Sequence, residues 1–125
     1  MRGRKPATID STDAITRVSA APTWLSVSAK KEWRRVMPIL VARRILTHAD
    51  LGSLENYCIA TGRVRDLERA IQLDGRIDPV LARLQDKAMS SARQLAAELG
   101  LTPVSRSRPS TRGERDLGED NPLAA

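Results

Sequence analysis

Aromatic residues, cysteine and histidine are scarce in this chain of 125 residues, which has no phenylalanine, one tyrosine, two tryptophans, one cysteine and one histidine. The single cysteine, Cys58, excludes an internal disulfide and a zinc cluster held by several thiolates. The single histidine, His48, excludes the usual metal sites built from several imidazoles. With so few aromatic side chains, the core must come from aliphatic residues on amphipathic helices, so we expect an all-α fold.

Sequence patterns for catalysis and for membrane insertion are also missing. The chain has no Gly-Lys-Ser/Thr phosphate-binding loop and no Ser/His/Asp set whose spacing supports nucleophilic catalysis. No apolar run approaches the roughly 18 residues of a membrane span, and no signal-peptide pattern opens the chain. We therefore expect a protein that is not an enzyme, uses no cofactor or metal, does not bind membranes and is not secreted.

Positive charge is concentrated in the first third of the chain. The net charge is +6; residues 1–44 hold ten Lys/Arg against three Asp/Glu, while residues 45–125 hold eleven against twelve. This asymmetry favours a polyanionic partner, most often a nucleic acid. The alternative is a basic surface that serves solubility alone.

The first 23 residues contain glycine, two prolines and scattered charge without a sustained period. This composition predicts a flexible basic arm over 1–23. Three cations near its start can follow a phosphate backbone through counterion release: Arg2, Arg4 and Lys5.

A first helix is predicted to begin near Ser26 or Ser28, either of which can cap it. Its apolar residues recur at intervals of three and four from Ala29 to Val41. Four cations gather on the opposite face: Lys30, Lys31, Arg34 and Arg35. Pro38 lies inside this pattern and removes one backbone donor, which predicts a kink or a break near Met37.

Two longer helices are predicted to follow as an antiparallel hairpin. Thr47 and Asp50 have the spacing of a capping box, so helix two should run from about His48 to about Leu73, with Cys58 as a small core residue on its apolar stripe. Asp78 and Pro79 mark the start of helix three. Gly100 ends it, Thr102 and Pro103 mark one more short turn, and the tail over 107–125 is expected to be disordered.

The predicted helical domain, residues 24–106, has only narrow apolar stripes and therefore a thin core. We expect copies of the chain to associate and bury the remaining apolar edges of the hairpin, closing into a ring if the contacts are head-to-tail. A monomer is the alternative. The residues expected at the contact between copies are Leu54, Val64, Leu67, Ile71, Leu81, Leu84, Ala88 and Leu95.

Four segments, taken in order, resemble the small subunit of bacteriophage terminase, in the branch with a basic Gly-Arg-Lys-Pro arm. They are "GRKP" at 3–6, "PTWLSVSAKKEWRRVMPIL" at 22–40, "ILTHADLGSLENYC" at 45–58 and "ARQLAAELGLTPVSRSR" at 92–108. The last segment is the most distinctive. Two departures from the family pattern are a short arm without a proline-rich spacer and a short "LDGRID" turn.

The resemblance implies a packaging factor without enzymatic activity, acting in the cytoplasm of the infected bacterial host. It would assemble into a homo-oligomeric ring, bind double-stranded viral DNA and regulate or recruit a large subunit that carries the ATPase and nuclease. Under this interpretation, the three cations of the arm and the four of helix one would contact phosphates.

A second interpretation keeps the charge and the helices but not the family. Helix one, the "RRILTHAD" turn and helix two also fit a helix-turn-helix, with Arg43 and Arg44 beside the DNA backbone. The corresponding function is a dimeric helix-turn-helix transcriptional regulator.

Overall fold

The computed structural model describes residues 13–76 and 78–103, which form three helices. They are α1 (Val27–Ala42), α2 (Leu51–Asp74) and α3 (Pro79–Leu99), and one turn of 3-10 helix (His48–Asp50) directly precedes α2. The all-α prediction is confirmed, and so is the helical hairpin, which α2 and α3 form. The 24 residues of α2 give it a length of about 36 Å at 1.5 Å per residue.

Local capping chemistry sets the helix ends where the sequence predicts them. The Ser26 side chain accepts a hydrogen bond from the Ala29 N–H at 3.2 Å, and the Asp50 carboxylate accepts one from the Thr47 N–H at 2.9 Å. Asp78 caps α3 by accepting from the Val80 N–H at 2.9 Å. Gly100 ends α3 with φ of +79°, a conformation that glycine adopts without strain. The short turn predicted to open at Pro103 lies outside the described ranges apart from Pro103 itself, which is helical.

Pro38 does not break the first helix. α1 continues from Val27 to Ala42 with Pro38 inside it. The proline removes only the backbone donor that would bond to the Arg34 carbonyl. Val36, Met37 and Leu40 flank it and are all fully buried, so packing holds the helix together across the missing bond.

The core lies where α1 packs against the first half of α2 and the end of α3. Its largest members are Trp33, Met37 and Leu40 from α1 together with Leu54 and Tyr57 from α2. Leu46 of the connecting loop and Leu99 of α3 complete the cluster. The apolar stripe predicted for helix one is therefore confirmed as its buried face.

α1 and α2 approach each other closely at Gly62. A β-carbon added at Gly62 would lie 2.8 Å from the Ala29 backbone nitrogen and 3.2 Å from the Ala29 α-carbon. Only glycine fits here without moving one helix away from the other. Near this point, the Ser28 hydroxyl donates a hydrogen bond to the Asp66 carboxylate at 2.6 Å.

The far part of the hairpin is much thinner than the core. We call residues 63–76 and 78–84 the distal hairpin, and none of them is buried. Several of its apolar side chains are half-buried between the two helices, while Leu73 is 87% exposed and Leu84 is 49% exposed. One chain alone therefore leaves this part of its apolar surface in water.

Residues 13–23 contact the helices although they belong to the arm predicted as flexible. Ala14 forms an isolated antiparallel bridge with Thr47, and the Ile15 N–H donates to the Leu46 carbonyl at 2.7 Å. The Trp33 indole N–H donates to the Ser19 carbonyl at 2.9 Å. An extended segment needs only a few apolar residues and backbone partners to be held, which helical periodicity does not reveal. The division of the chain at residues 23 and 106 stays a prediction.

Candidate nucleic-acid interface

Six of the nine cations predicted to bind DNA fall in the described part of the chain. Arg2, Arg4 and Lys5 lie outside it. Four of the six are carried by α1, and Arg43 and Arg44 follow directly after this helix. All six therefore sit on or beside the first helix, but the structure gives them different partners.

Lys30 and Arg34 lie one helical turn apart on the side of α1 that faces residues 18–23. Both side chains line a cleft between α1 and that segment. Lys30 is half-buried there, whereas Arg34 is exposed. Lys31 is also exposed, but it is not among the residues that line the cleft.

Arg35 is occupied by an ion pair within the chain. Its guanidinium donates two hydrogen bonds to the Glu32 carboxylate, at 3.0 Å from Nε and 2.6 Å from Nη2. Arg65 of α2 contacts the same carboxylate at 3.0 Å, and the Tyr57 hydroxyl donates to it at 2.5 Å. The Glu32 side chain is completely buried, so this buried carboxylate joins α1 to α2.

The pKa values follow from this arrangement. Burial alone would raise the pKa of Glu32, but hydrogen bonds from Arg35 and Tyr57 and the charges of Arg35 and Arg65 hold it below its ordinary value. The hydrogen bond to Glu32 raises the pKa of Arg35. Burial and the bond to Glu32 raise the pKa of Tyr57, which therefore stays a donor. Glu32 is thus an ionised carboxylate, paired with Arg35 and Arg65 and hydrogen-bonded by Tyr57.

Sequence reasoning missed Glu32, although a signal was present. Glu32 is three residues after Ala29 and four before Val36, both of which are fully buried. A carboxylate at the spacing of an apolar stripe indicates a buried charge that needs partners. The partners themselves come from α2, and their positions depend on how the two helices pack.

Arg43 and Arg44 directly follow the end of α1. The Arg43 guanidinium donates to the Gly100 carbonyl at 3.5 Å, a long hydrogen bond between the end of α1 and the end of α3. Arg44 has a φ of +59°, which is uncommon for a residue with a side chain. Both side chains are exposed, so their positive charge faces solvent.

The residues predicted to join copies of the chain divide into two groups. Leu54 is fully buried in the core of its own chain, Ala88 is buried as well, and Leu95 packs against the core. Leu54 therefore has no surface left for a second copy. The other five lie in the distal hairpin, half-buried or exposed: Val64, Leu67, Ile71, Leu81 and Leu84.

Cys58 is a core residue. It is fully buried, and burial raises the pKa of its thiol to about 12. A thiol in this environment is a poor nucleophile, which agrees with the interpretation from the sequence. Over residues 13–76 and 78–103, no three His, Cys, Asp or Glu side chains are grouped so that they hold a metal ion. No helix in these ranges is long and apolar enough to cross a membrane.

Together, fold and surface define a small helical protein with a cationic first helix and a thin, protruding hairpin. The family model for the small subunit of phage terminase matches residues 29–116, well over half of the chain. The chain belongs to this family. No curated protein and no solved structure matches it. Members of the family are generally non-catalytic regulatory subunits, and membership supports a role in phage DNA packaging.

Proposed function

We propose that this chain binds double-stranded viral DNA, assembles with further copies of itself and recruits or regulates the terminase large subunit in the host cytoplasm. It would do so without enzymatic activity of its own. The family match carries the proposal, because membership in the terminase small-subunit family supports a role in phage DNA packaging. The matched residues, 29–116, include the four cations of α1.

The electrostatic part of the proposal rests on three side chains of α1. Lys30, Lys31 and Arg34 have no carboxylate within 4.0 Å among the described residues, in contrast to Arg35. Cations without an internal partner are available to replace the counterions of a phosphate backbone. Arg35 contributes to the positive potential, but its hydrogen bonds are already used within the chain.

Salt titrations test DNA binding. Replacing Lys30, Lys31, Arg34 and Arg35 together by alanine should weaken binding to duplex DNA and flatten the plot of log affinity against log salt. Replacing Arg35 also removes a partner of the buried Glu32. A triple variant that replaces only Lys30, Lys31 and Arg34 therefore tests DNA binding without disturbing this ion pair. If the triple variant keeps the slope of the unmodified protein, α1 is not the DNA-binding surface.

Self-association is proposed to use the distal hairpin. Its half-exposed apolar side chains are the surface that a second copy would cover, and a single core of this size leaves a small stability margin. Leu84→Glu should reduce the oligomer mass measured by native mass spectrometry. Met89→Glu is a matched control, since Met89 is 41% exposed on the same helix but lies outside the distal hairpin.

The same mass measurement separates the two interpretations of the sequence. A mass of many subunits supports a packaging ring, whereas a dimer supports the helix-turn-helix regulator. Stimulation of the large subunit's ATPase by the purified chain tests the recruitment step. ATP hydrolysis or DNA cleavage by the chain alone would contradict a non-catalytic role.

A further inference from the structure

The cleft beside α1 brings cations and hydroxyl groups together. It has a volume of about 450 Å³ and lies between residues 18–23 and α1. Lys30 and Arg34 line one side, Ser19 and Thr23 line the other, and the Trp33 side chain also contributes. Lys30, Arg34, Ser19 and Thr23 each have a side-chain group that can donate a hydrogen bond, and no Asp or Glu lines the cleft. This chemistry suits an anion.

Three arginines of α1 and α2 have an ion pair within the described residues, whereas the two cations of the cleft have none. Arg35 and Arg65 pair with Glu32, and Arg69 pairs with Asp66 at 2.9 Å. Over the described ranges, Lys30 and Arg34 have no such ion pair. Residues four apart on a helix are neighbours on its surface, so both can reach one phosphate group.

The walls of the cleft are held in place by bonds within the chain. Trp33 is 3% exposed, and its indole N–H donates to the Ser19 carbonyl, which fixes the extended segment against α1. The Ile15 N–H bond to the Leu46 carbonyl holds the same segment further back. A ligand would therefore meet a backbone wall that is already held in place, which lowers the entropy lost on binding.

We propose that this cleft binds a phosphodiester group of duplex DNA, with Lys30 and Arg34 as the charged ligands and Ser19 and Thr23 as hydroxyl donors. The inference rests on the proposed DNA-binding function and narrows it from the whole cationic face of α1 to one side of the helix. Contacts of this kind position DNA without reading its sequence. Lys31, adjacent in sequence but outside the cleft, adds to the positive potential of α1 without being a ligand of the cleft.

Lys30→Gln and Lys31→Gln form a matched pair of variants. Each removes one lysine charge from the same helix, but only Lys30 lines the cleft. Binding of a fluorescent duplex of random sequence is measured by anisotropy over a range of KCl concentrations. We expect Lys30→Gln to weaken binding and to reduce the salt slope by about 0.9, the value for one phosphate contact. Lys31→Gln, which removes only a charge of the surrounding positive potential, should reduce the slope by clearly less.

A second comparison guards against effects on folding. Arg34→Gln should act like Lys30→Gln, and both should keep the thermal midpoint of the unmodified protein, because neither side chain has an internal ion pair in the described ranges. Equal losses for Lys30→Gln and Lys31→Gln, or no loss for either, would overturn the cleft as the site while leaving DNA binding in place. If the unmodified protein does not bind the duplex, the proposed function itself fails, and the inference with it.

Discussion

Gly62 and Gly52 both lie in α2, and we expect substitution by alanine to change the stability of the fold in opposite directions at the two positions. In a helix interior, Gly→Ala normally stabilises by about 0.5–1 kcal/mol. At Gly62, however, the new methyl group would lie 2.8 Å from the Ala29 backbone nitrogen. Ordinary contact begins at about 3.4 Å, so α1 must move by roughly half an ångström, and overpacking of this kind costs about 1–3 kcal/mol. We expect Gly62→Ala to be destabilised by about 1–2 kcal/mol overall.

Gly52 provides the control. It lies in the first turn of α2, and a β-carbon there would meet no atom within 4 Å. Gly52→Ala should therefore gain up to about 0.5 kcal/mol. Thermal unfolding followed by circular dichroism, at one protein concentration for all variants, should show Gly62→Ala several degrees below and Gly52→Ala slightly above the unmodified chain. A Gly62→Ala variant as stable as the unmodified chain would refute the close approach of the two helices.

Three further outcomes are expected. Glu32→Gln should lower the free energy of unfolding at pH 7 by about 1–3 kcal/mol, because its donors lose a shared anion. Since the pKa of Glu32 is held below its ordinary value, the unmodified chain loses this contribution as the pH falls below about 4. The free energy of unfolding, measured with urea, should therefore differ less between pH 7 and pH 3 for the variant than for the unmodified chain. An equal difference in the two proteins would argue against an ionised Glu32. Cys58 should resist a thiol reagent at pH 8 until urea unfolds the chain, whereas rapid labelling of the native protein would contradict its burial. Gly100→Ala should destabilise the fold by about 1–2 kcal/mol because of the positive φ alone. The loss should exceed that of Gly75→Ala, because only at Gly100 of these two positions does the new methyl group meet a side chain, Ile45, at 3.1 Å.

The parts of the fold that depend on local chemistry follow from the sequence. Ser26, Asp78 and Gly100 end helices through bonds to residues a few positions away, so their roles can be predicted without knowing the packing. The buried stripe of α1 follows in the same way from its period. Pro38 shows the limit of this approach, since side chains buried against α2 keep the helix continuous.

The parts of the candidate site that depend on packing do not follow from the sequence. Four equivalent cations on one helix face become two that line a cleft, one that is exposed and one that pairs with Glu32. This distinction arises because Tyr57 and Arg65 of α2 lie beside α1, and because residues 18–23 lie along its other side. The spacing of residues in the sequence of α1 indicates neither the α2 side chains nor the segment 18–23.

The uneven thickness of the hairpin links its order to protein concentration. Around Gly62, α2 is held by α1, by α3 and by a buried carboxylate, so its backbone opens only when the whole domain unfolds. Arg65 and Asp66 still contact α1, but the later turns of α2 are bonded only to α3 among the described residues. We expect the fraying of these outer turns to be governed by a smaller free energy. If the proposed self-association uses the distal hairpin, a second copy would supply packing contacts that one chain lacks. The outer turns should then become more ordered as the protein concentration rises, while the stability of the core should not depend on concentration.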